Sequence, residues 1–400
     1  MAPDFVSGVQ WLNPIMPSPS FPQGLLDAAE RLPLQAGRLS GLLPVATAKC
    51  LAGLLRITSS YYSNLIEGQY TEPAELPAQA PRRSTKELNE LAIGHIGAQE
   101  ALERLARQSS GVLEWRDFFD PVFLGRIHRR LFEAGSEQEL TLADGSRLVP
   151  GQLRDQAQRN VLVGNHAAPH WDSVMPMLHR LQDAYGRLAD PRLKLLGCLA
   201  YHHRLSFVRP FTDGNGRVAR LVTHLQLYRL GLVSPLWSLS RGLARHQDEY
   251  YARLRAADQP RRGDIDGRGL LSQAALIEFV EFMLQTCIDQ MAYIEKQMGL
   301  TELRARLERV IALEPTFINA GIKPEMARAL HILLTQGEVT RADFKIYTGL
   351  IDKTAGDQLK KLIGLGVVET ASPKSRQLLP ALPVWFAQLI FPDLHRRFYH

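Results

Sequence analysis

Between Arg209 and Arg220 the chain reads RPFTDGNGRVAR, and these residue types at these offsets suit one kind of chemistry. Gly214 and Gly216 permit the positive φ angles with which consecutive backbone N–H groups form an anion-binding concavity. The apolar spacing of Val218, Leu221 and Val222 makes a helix begin here, so the positive end of its dipole lies at the same place. Asp213, just ahead of the concavity, is suited to a Mg²⁺ ion that takes one carboxylate and completes its shell from phosphate oxygens. Arg217 and Arg220, three apart on one helical face, are placed for distal phosphates. Together Asp213, Gly214, Asn215, Gly216, Arg217 and Arg220 predict a cradle for a nucleoside triphosphate. Arg209, the first letter, carries a guanidinium, which can donate hydrogen bonds but cannot accept a proton.

The elements that must position this loop are helical. Apolar residues at i, i+3, i+4 and i+7 predict helices over 38–66, 87–106 and 119–134, then over 173–188 and 190–206, again from Asn215 onward, and near 244–257 and 270–312. Residues 1 to about 34, rich in Pro and Ser, are expected to be an irregular arm. Between 140 and 171, Asp-Gly, Pro-Gly and Gly-Asn signals around short apolar stretches predict a hairpin-like flap. QPRRGDIDGRG (259–269) and INAGIKPE (318–325) punctuate the chain. Beyond the second, three short helical patterns ending in a hairpin describe a winged helix-turn-helix, with 351–363 in the recognition position. That segment offers Lys353, Lys360 and Lys361 against Asp352 and Asp357, a weak charge for DNA. The expected division is 1–84, an arm and helices; 85–262, the core around the loop; 263–320, connecting helices; and 321–400, the winged helix. The fold class is mainly α.

Composition narrows the classes further. Four hundred residues at 45% hydrophobic and 22% charged exclude disordered and fibrous chains and allow two or three domains. The net charge of +6 is compatible with phosphate ligands. Cys50, Cys198 and Cys287 are isolated among apolar residues, which argues against a disulfide framework or a cysteine metal site. With no uncharged apolar run of about 18 residues and no basic leader, a cytoplasmic location without membrane partners is expected.

The loop resembles the signature of the Fic family, His-x-Phe-x-(Asp/Glu)-Gly-Asn-Gly-Arg-x-x-Arg, matching every fixed position except the first. VLVGNHAAPH (161–170) resembles the family's flap, EYY (249–251) its tyrosine pair, and SNLIEG (63–68) its inhibitory motif (Ser/Thr)-x-x-x-Glu-(Gly/Asn). The resemblance implies a Fic-type helical bundle that transfers AMP from ATP, with Mg²⁺, to a protein hydroxyl. By it, Asp213 holds the metal; Gly214, Asn215 and Gly216 cradle the α and β phosphates; Arg217 holds the polyphosphate; and Arg220 serves the γ-phosphate. Val161, Leu162, Val163 and Gly164 belong to the flap, and Tyr250 and Tyr251 line the adenosine pocket. Glu67, flanked by Ser63 and Gly68, pairs with Arg220 and switches the site off. Arg209 stands where the family has its general-base histidine; His202, His203 and His166 are the neighbours weighed as substitutes. Three readings follow: an adenylyltransferase impaired by Arg209, a nucleotide-binding regulator acting through the winged helix, and a hydrolase in which Glu67 directs water onto an AMP-modified protein. The implied partners are ATP and a target protein, this chain itself included, with DNA and a second copy of the chain as further candidates.

Overall fold

The structure, a computed structural model, describes residues 5–17, 21–69, 86–107, 113–154, 156, 160–163, 166–232 and 237–395. Two antiparallel helices joined by the glycine loop form its centre: α6 (Pro191–Val208) and α7 (Asn215–Arg229). Their cause is visible in composition. α6 buries Leu195, Leu196, Leu199, Ala200, Leu205 and Val208 around its whole circumference rather than along one stripe, the pattern of a helix enclosed by others. Around this pair stand α1 (Gln23–Gly41), α2 (Val45–Ile66), α3 (Lys86–Arg107), α4 (Pro121–Phe132), α5 (Trp171–Tyr185), α8 (Leu239–Arg245), α9 (Gln247–Ala257) and α10 (Gln273–Gln297). Starts follow capping chemistry: Asp120 and Asp190 accept from the backbone N–H two residues on, each followed by proline, and Ser238 and Ser272 cap α8 and α10.

The flap is a minimal antiparallel hairpin, β1 (Leu162–Val163) with β2 (His166–Ala167), in the register Leu162 to Ala167 and Val163 to His166. Beyond α11 (Leu300–Leu313) and α12 (Pro315–Asn319) comes a unit of α13 (Met326–Gln336), β3 (Val339–Thr340), α14 (Arg341–Thr348), α15 (Asp352–Gly364), β4 (Val368–Glu369) and β5 (Gln377–Pro380). Its three strands lie in the order β3, β5, β4, all antiparallel. The last helix, α16 (Val384–Ile390), buries Val384, Phe386, Ala387 and Ile390.

One expectation is corrected. The irregular arm expected for residues 1 to about 34 gives way to a helix from Gln23: α1 buries Leu25, Ala29, Leu32, Ala36 and Leu39 despite Pro33 inside it. The stripe is diluted by alanine, and Pro22, Gly24, Pro33 and Gly37 read as breakers, but burial of that face against the core outweighs local propensity. The pattern over 38–66 divides accordingly at Gly41 into α1 and α2.

α2 is shared by both halves of the molecule. Near its start the buried Thr47 hydroxyl donates to the Leu334 carbonyl of α13 at 2.7 Å, and midway Thr58 Oγ1 lies 2.9 Å from His395 Nε2. Its other end reaches the glycine loop. No single helix among the described residues is long and apolar enough to cross a membrane.

Candidate functional site

The loop is built from the backbone upward. α6 ends as Arg209 enters the left-handed region, φ 48° and ψ 68°, which a non-glycine residue adopts only when held there. Phe211 then turns wholly inward and stacks on His128, ring centroids 4.0 Å apart. Asn215 closes the loop. Its Oδ1 accepts from the Phe211 N–H at 2.9 Å and its Nδ2 donates to the Phe211 carbonyl at 2.8 Å, so its side chain braces the turn. Gly214 has φ 74°, and a Cβ there would lie 2.4 Å from the Phe132 ring. Only glycine satisfies both constraints.

The two motif arginines are buried and differently employed. Arg217 lies over the Phe132 ring at 4.5 Å, with Nη2 3.6 Å from Asp213 and Nη1 donating to Gln69 Oε1 at 3.3 Å. Arg220 is bound to the end of α2: Nε donates to Ser63 Oγ at 3.0 Å, and Nη2 donates to the Ser63 carbonyl at 2.8 Å and to Glu67 Oε1 at 2.6 Å. That carboxylate oxygen sits over the start of α7, 2.1 Å from where a Cβ on Gly216 would be. Burial works to raise the Glu67 pKa, yet Arg220, through charge and hydrogen bond, and then Arg217 and Arg209 hold it below the ordinary carboxylate value. The end of α2 is fastened a second time, for the Ile66 carbonyl accepts from Tyr251 Oη at 2.8 Å and from Gln247 Nε2 at 3.3 Å. Gly68, at φ 75°, turns the chain away.

Thus the structure brings Ser63, Glu67, Gly216, Arg217 and Arg220 together, with Tyr251 beside them. Tyr250 is buried, its hydroxyl 2.8 Å from His202 Nε2 and also against Arg220. Gly164 lies outside the described residues, as do the side chains of Val163 and His166. The Asp213 side chain is half exposed, and among the described residues no three His, Cys, Asp or Glu side chains group to hold a metal. A single open carboxylate beside the concavity fits Mg²⁺ that arrives with phosphate ligands of its own.

His202 and His203 are not free bases. Thr223 Oγ1 donates to the Ala219 carbonyl, so it accepts from His202 Nδ1, leaving Nε2 to accept from Tyr250. His203 Nδ1 accepts from Arg204 at 2.7 Å, and Nε2 donates to Leu254 and Asp258. Burial holds His202 and His95 down at about 3. Both therefore fold neutral while the unfolded chain binds their protons near the ordinary value of 6.5. Their contribution is complete above pH 6.5 and declines as pH falls toward 3. Urea midpoints at pH 7.5 and pH 5 should show the loss; an unchanged midpoint would refute the assignment of both histidines as neutral.

Sequence reasoning missed three residues the site uses: His128, read only as part of a helix; Arg154, in the turn-rich stretch; and Gln69, one residue past the SNLIEG motif. Their only signal was polarity at positions that pack inward, which spacing does not reveal.

The site is thus a glycine loop between two central helices of a mainly helical domain, covered by the Glu67 carboxylate at the end of α2. Residues 118–227 match the model of the Fic/DOC family, so this part of the chain is a Fic domain. It is 27% identical over 215 residues to the protein adenylyltransferase Fic of Nematostella vectensis, across 51% of this chain and 43% of that protein. The chain thus spans less than half the length of that relative. Among solved structures, a Fic-domain-containing signaling protein from Bacteroides thetaiotaomicron superposes with a TM-score of 0.50 at 16% identity, over 67% of this chain and 95% of that one. A Fic family protein from Desulfovibrio desulfuricans G20 gives a TM-score of 0.49 at 20% identity, over 89% of this chain and 96% of that one. The first of these likenesses concerns the fold alone.

Proposed function

We propose that the chain is a Fic-type protein adenylyltransferase, held off by Glu67 and slowed by Arg209. The observation that carries the reading is the Glu67 carboxylate on Arg220 at 2.6 Å, over the start of α7. The protein's own anion occupies a place suited to phosphate, and the cations around it are those a polyphosphate needs. In the reaction a target hydroxyl oxygen bonds to the α-phosphorus of ATP, the bond to the bridging oxygen breaks, pyrophosphate leaves, and the hydroxyl proton must be taken up. Backbone N–H groups at Gly214 to Gly216 bind phosphate oxygens, Arg217 holds the distal charge, and Arg220 orients the γ-phosphate once Glu67 withdraws. Mg²⁺, bound through Asp213, would neutralise charge on the phosphates. The flap supplies an edge to which a target segment adds as a strand.

Arg209 favours a second reading, a nucleotide-responsive regulator, because a permanent cation binds phosphate well and takes no proton. In it the unit from α13 to β5, read as a winged helix, carries the signal to DNA or to another protein. Both readings require nucleotide binding. Titration calorimetry should give binding of Mg²⁺-ATP to the intact chain at millimolar concentration or below. No heat with ATP, ADP or AMP would leave the loop a purely structural turn.

A further inference from the structure

Both ends of the loop between Arg209 and Asp213 are held by buried side chains that belong to neither the nucleotide cradle nor the inhibitory contact. We propose that Arg154 and His128 are positioning residues: Arg154 fixes the turn that aims the side chain of residue 209, and His128 fixes the backbone that carries Asp213. The roles assigned to those two residues rest on the adenylyltransferase reading; the clamp itself rests on geometry.

Arg154 is fully buried. Its Nε donates to the Arg209 carbonyl, its Nη2 to the Val208 carbonyl at 2.6 Å, and its backbone N–H to the Pro210 carbonyl at 2.8 Å. One residue thus takes three successive carbonyls at the C-terminus of α6, where intrahelical donors run out. A buried cation is costly unless its charge is used. Among the described residues no carboxylate pairs with this one; what it meets is the negative end of a helix. It braces the left-handed turn at Arg209, a conformation that is strained for a residue bearing a Cβ. Relaxation of that turn would swing the Cα–Cβ direction of residue 209 out of the site.

His128 works at the other end. Its Nδ1 accepts from the Gly151 N–H at 2.8 Å, so the proton of the neutral ring is on Nε2, which donates to the Asp213 carbonyl at 3.2 Å. The ring is wedged between Phe211 and Phe132, at 4.0 and 4.7 Å. The partner Gly151 lies where α4 and the 151–154 segment touch backbone to backbone, since a Cβ on Gly125 would meet the Gly151 carbonyl at 3.0 Å. The same four-residue segment therefore supports both ends of the loop.

The test uses the full chain carrying Arg209→His. Arg154→Lys keeps the charge but replaces a two-pronged donor with a point donor; it should lower kcat for AMP transfer about 10- to 10²-fold, as misplacement by about 1 Å does, with KM for ATP within about twofold. Arg154→Gln, which keeps one donor without the charge, serves if the lysine variant does not fold. His128→Gln places an amide N–H near the Nε2 position, whereas His128→Asn reaches only the Nδ1 position. The Mg²⁺-dependent part of ATP affinity, measured by calorimetry with and without EDTA, should survive in His128→Gln and fall about tenfold in His128→Asn, with metal-free affinity equal in both, the scale of one well-placed hydrogen bond. Equal Mg²⁺ dependence in the two His128 variants, or an unchanged kcat in the Arg154 variant, overturns the proposal. If Arg209→His transfers no AMP at all, the adenylyltransferase reading fails, while the calorimetry still decides whether His128 positions Asp213.

Discussion

Arg209→His is expected to raise AMP transfer, including transfer onto the chain itself, by about 10²- to 10⁴-fold, the contribution of a well-placed general base. In activation free energy that is about 3 to 5 kcal/mol. The reason is local. The attacking hydroxyl must lose a proton as its oxygen bonds to phosphorus, and neither Arg209 nor the neighbouring histidines can accept it. Arginine stays protonated, while His202 and His203 are fully buried with both ring nitrogens engaged. Everything else that the reaction needs from the loop is independent of the residue-209 side chain: the Asn215 brace, Gly214, and the two buried arginines. A labelled-ATP assay on both chains checks this. Efficient transfer by the unsubstituted chain, slowed by histidine, would mean that the proton leaves by another route and that Arg209 stabilises charge at phosphorus.

Glu67→Gly should have the second largest effect. Without the carboxylate, Arg220 is available to a γ-phosphate, so in-line geometry improves and transfer in the Arg209→His chain should rise by a further 10- to 10²-fold, roughly the worth of about 1 Å in alignment. The same change strips a buried cation of its charged partner, leaving it neutral acceptors such as the two on Ser63. Free of nucleotide, the variant should therefore be less stable by about 2 kcal/mol, and ATP should restore more stability to it than to the parent. Thermal unfolding with and without Mg²⁺-ATP measures that difference. If neither affinity, rate nor nucleotide-linked stability moves, Glu67 is not a switch.

The fold class and the glycine loop were legible because their signals are local. Helical spacing marks α3, α5 and α6 closely, and Gly214 sits where positive φ and the nearness of Phe132 demand glycine. The contact of Glu67 with Arg220 joins residues 153 apart, and only the resemblance of SNLIEG to a known motif put them together in advance. What escaped was set by tertiary packing. α1 holds against its proline and glycines because one face is buried. Arg154 and His128 are polar residues in unremarkable contexts whose partners at the glycine loop lie 54 to 85 residues away. The Tyr250 hydroxyl meets both His202 and Arg220, contacts that join three separate helices.

Because α2 makes its bond to α13 at Thr47 and to Arg220 at Glu67, its length is itself a functional quantity. The two positions are twenty residues apart, about 30 Å along an unbroken helix, and at about 3.6 residues per turn each added residue rotates one end by about 100° relative to the other. A single insertion or deletion between them would leave every side chain of the motif present in the sequence and every helical hydrogen bond formed, yet would aim Glu67 away from Arg220 so long as Thr47 kept its place. α2 is a ruler whose graduation is one residue, so for this chain the count between Thr47 and Glu67 carries as much information as the identity of the glutamate.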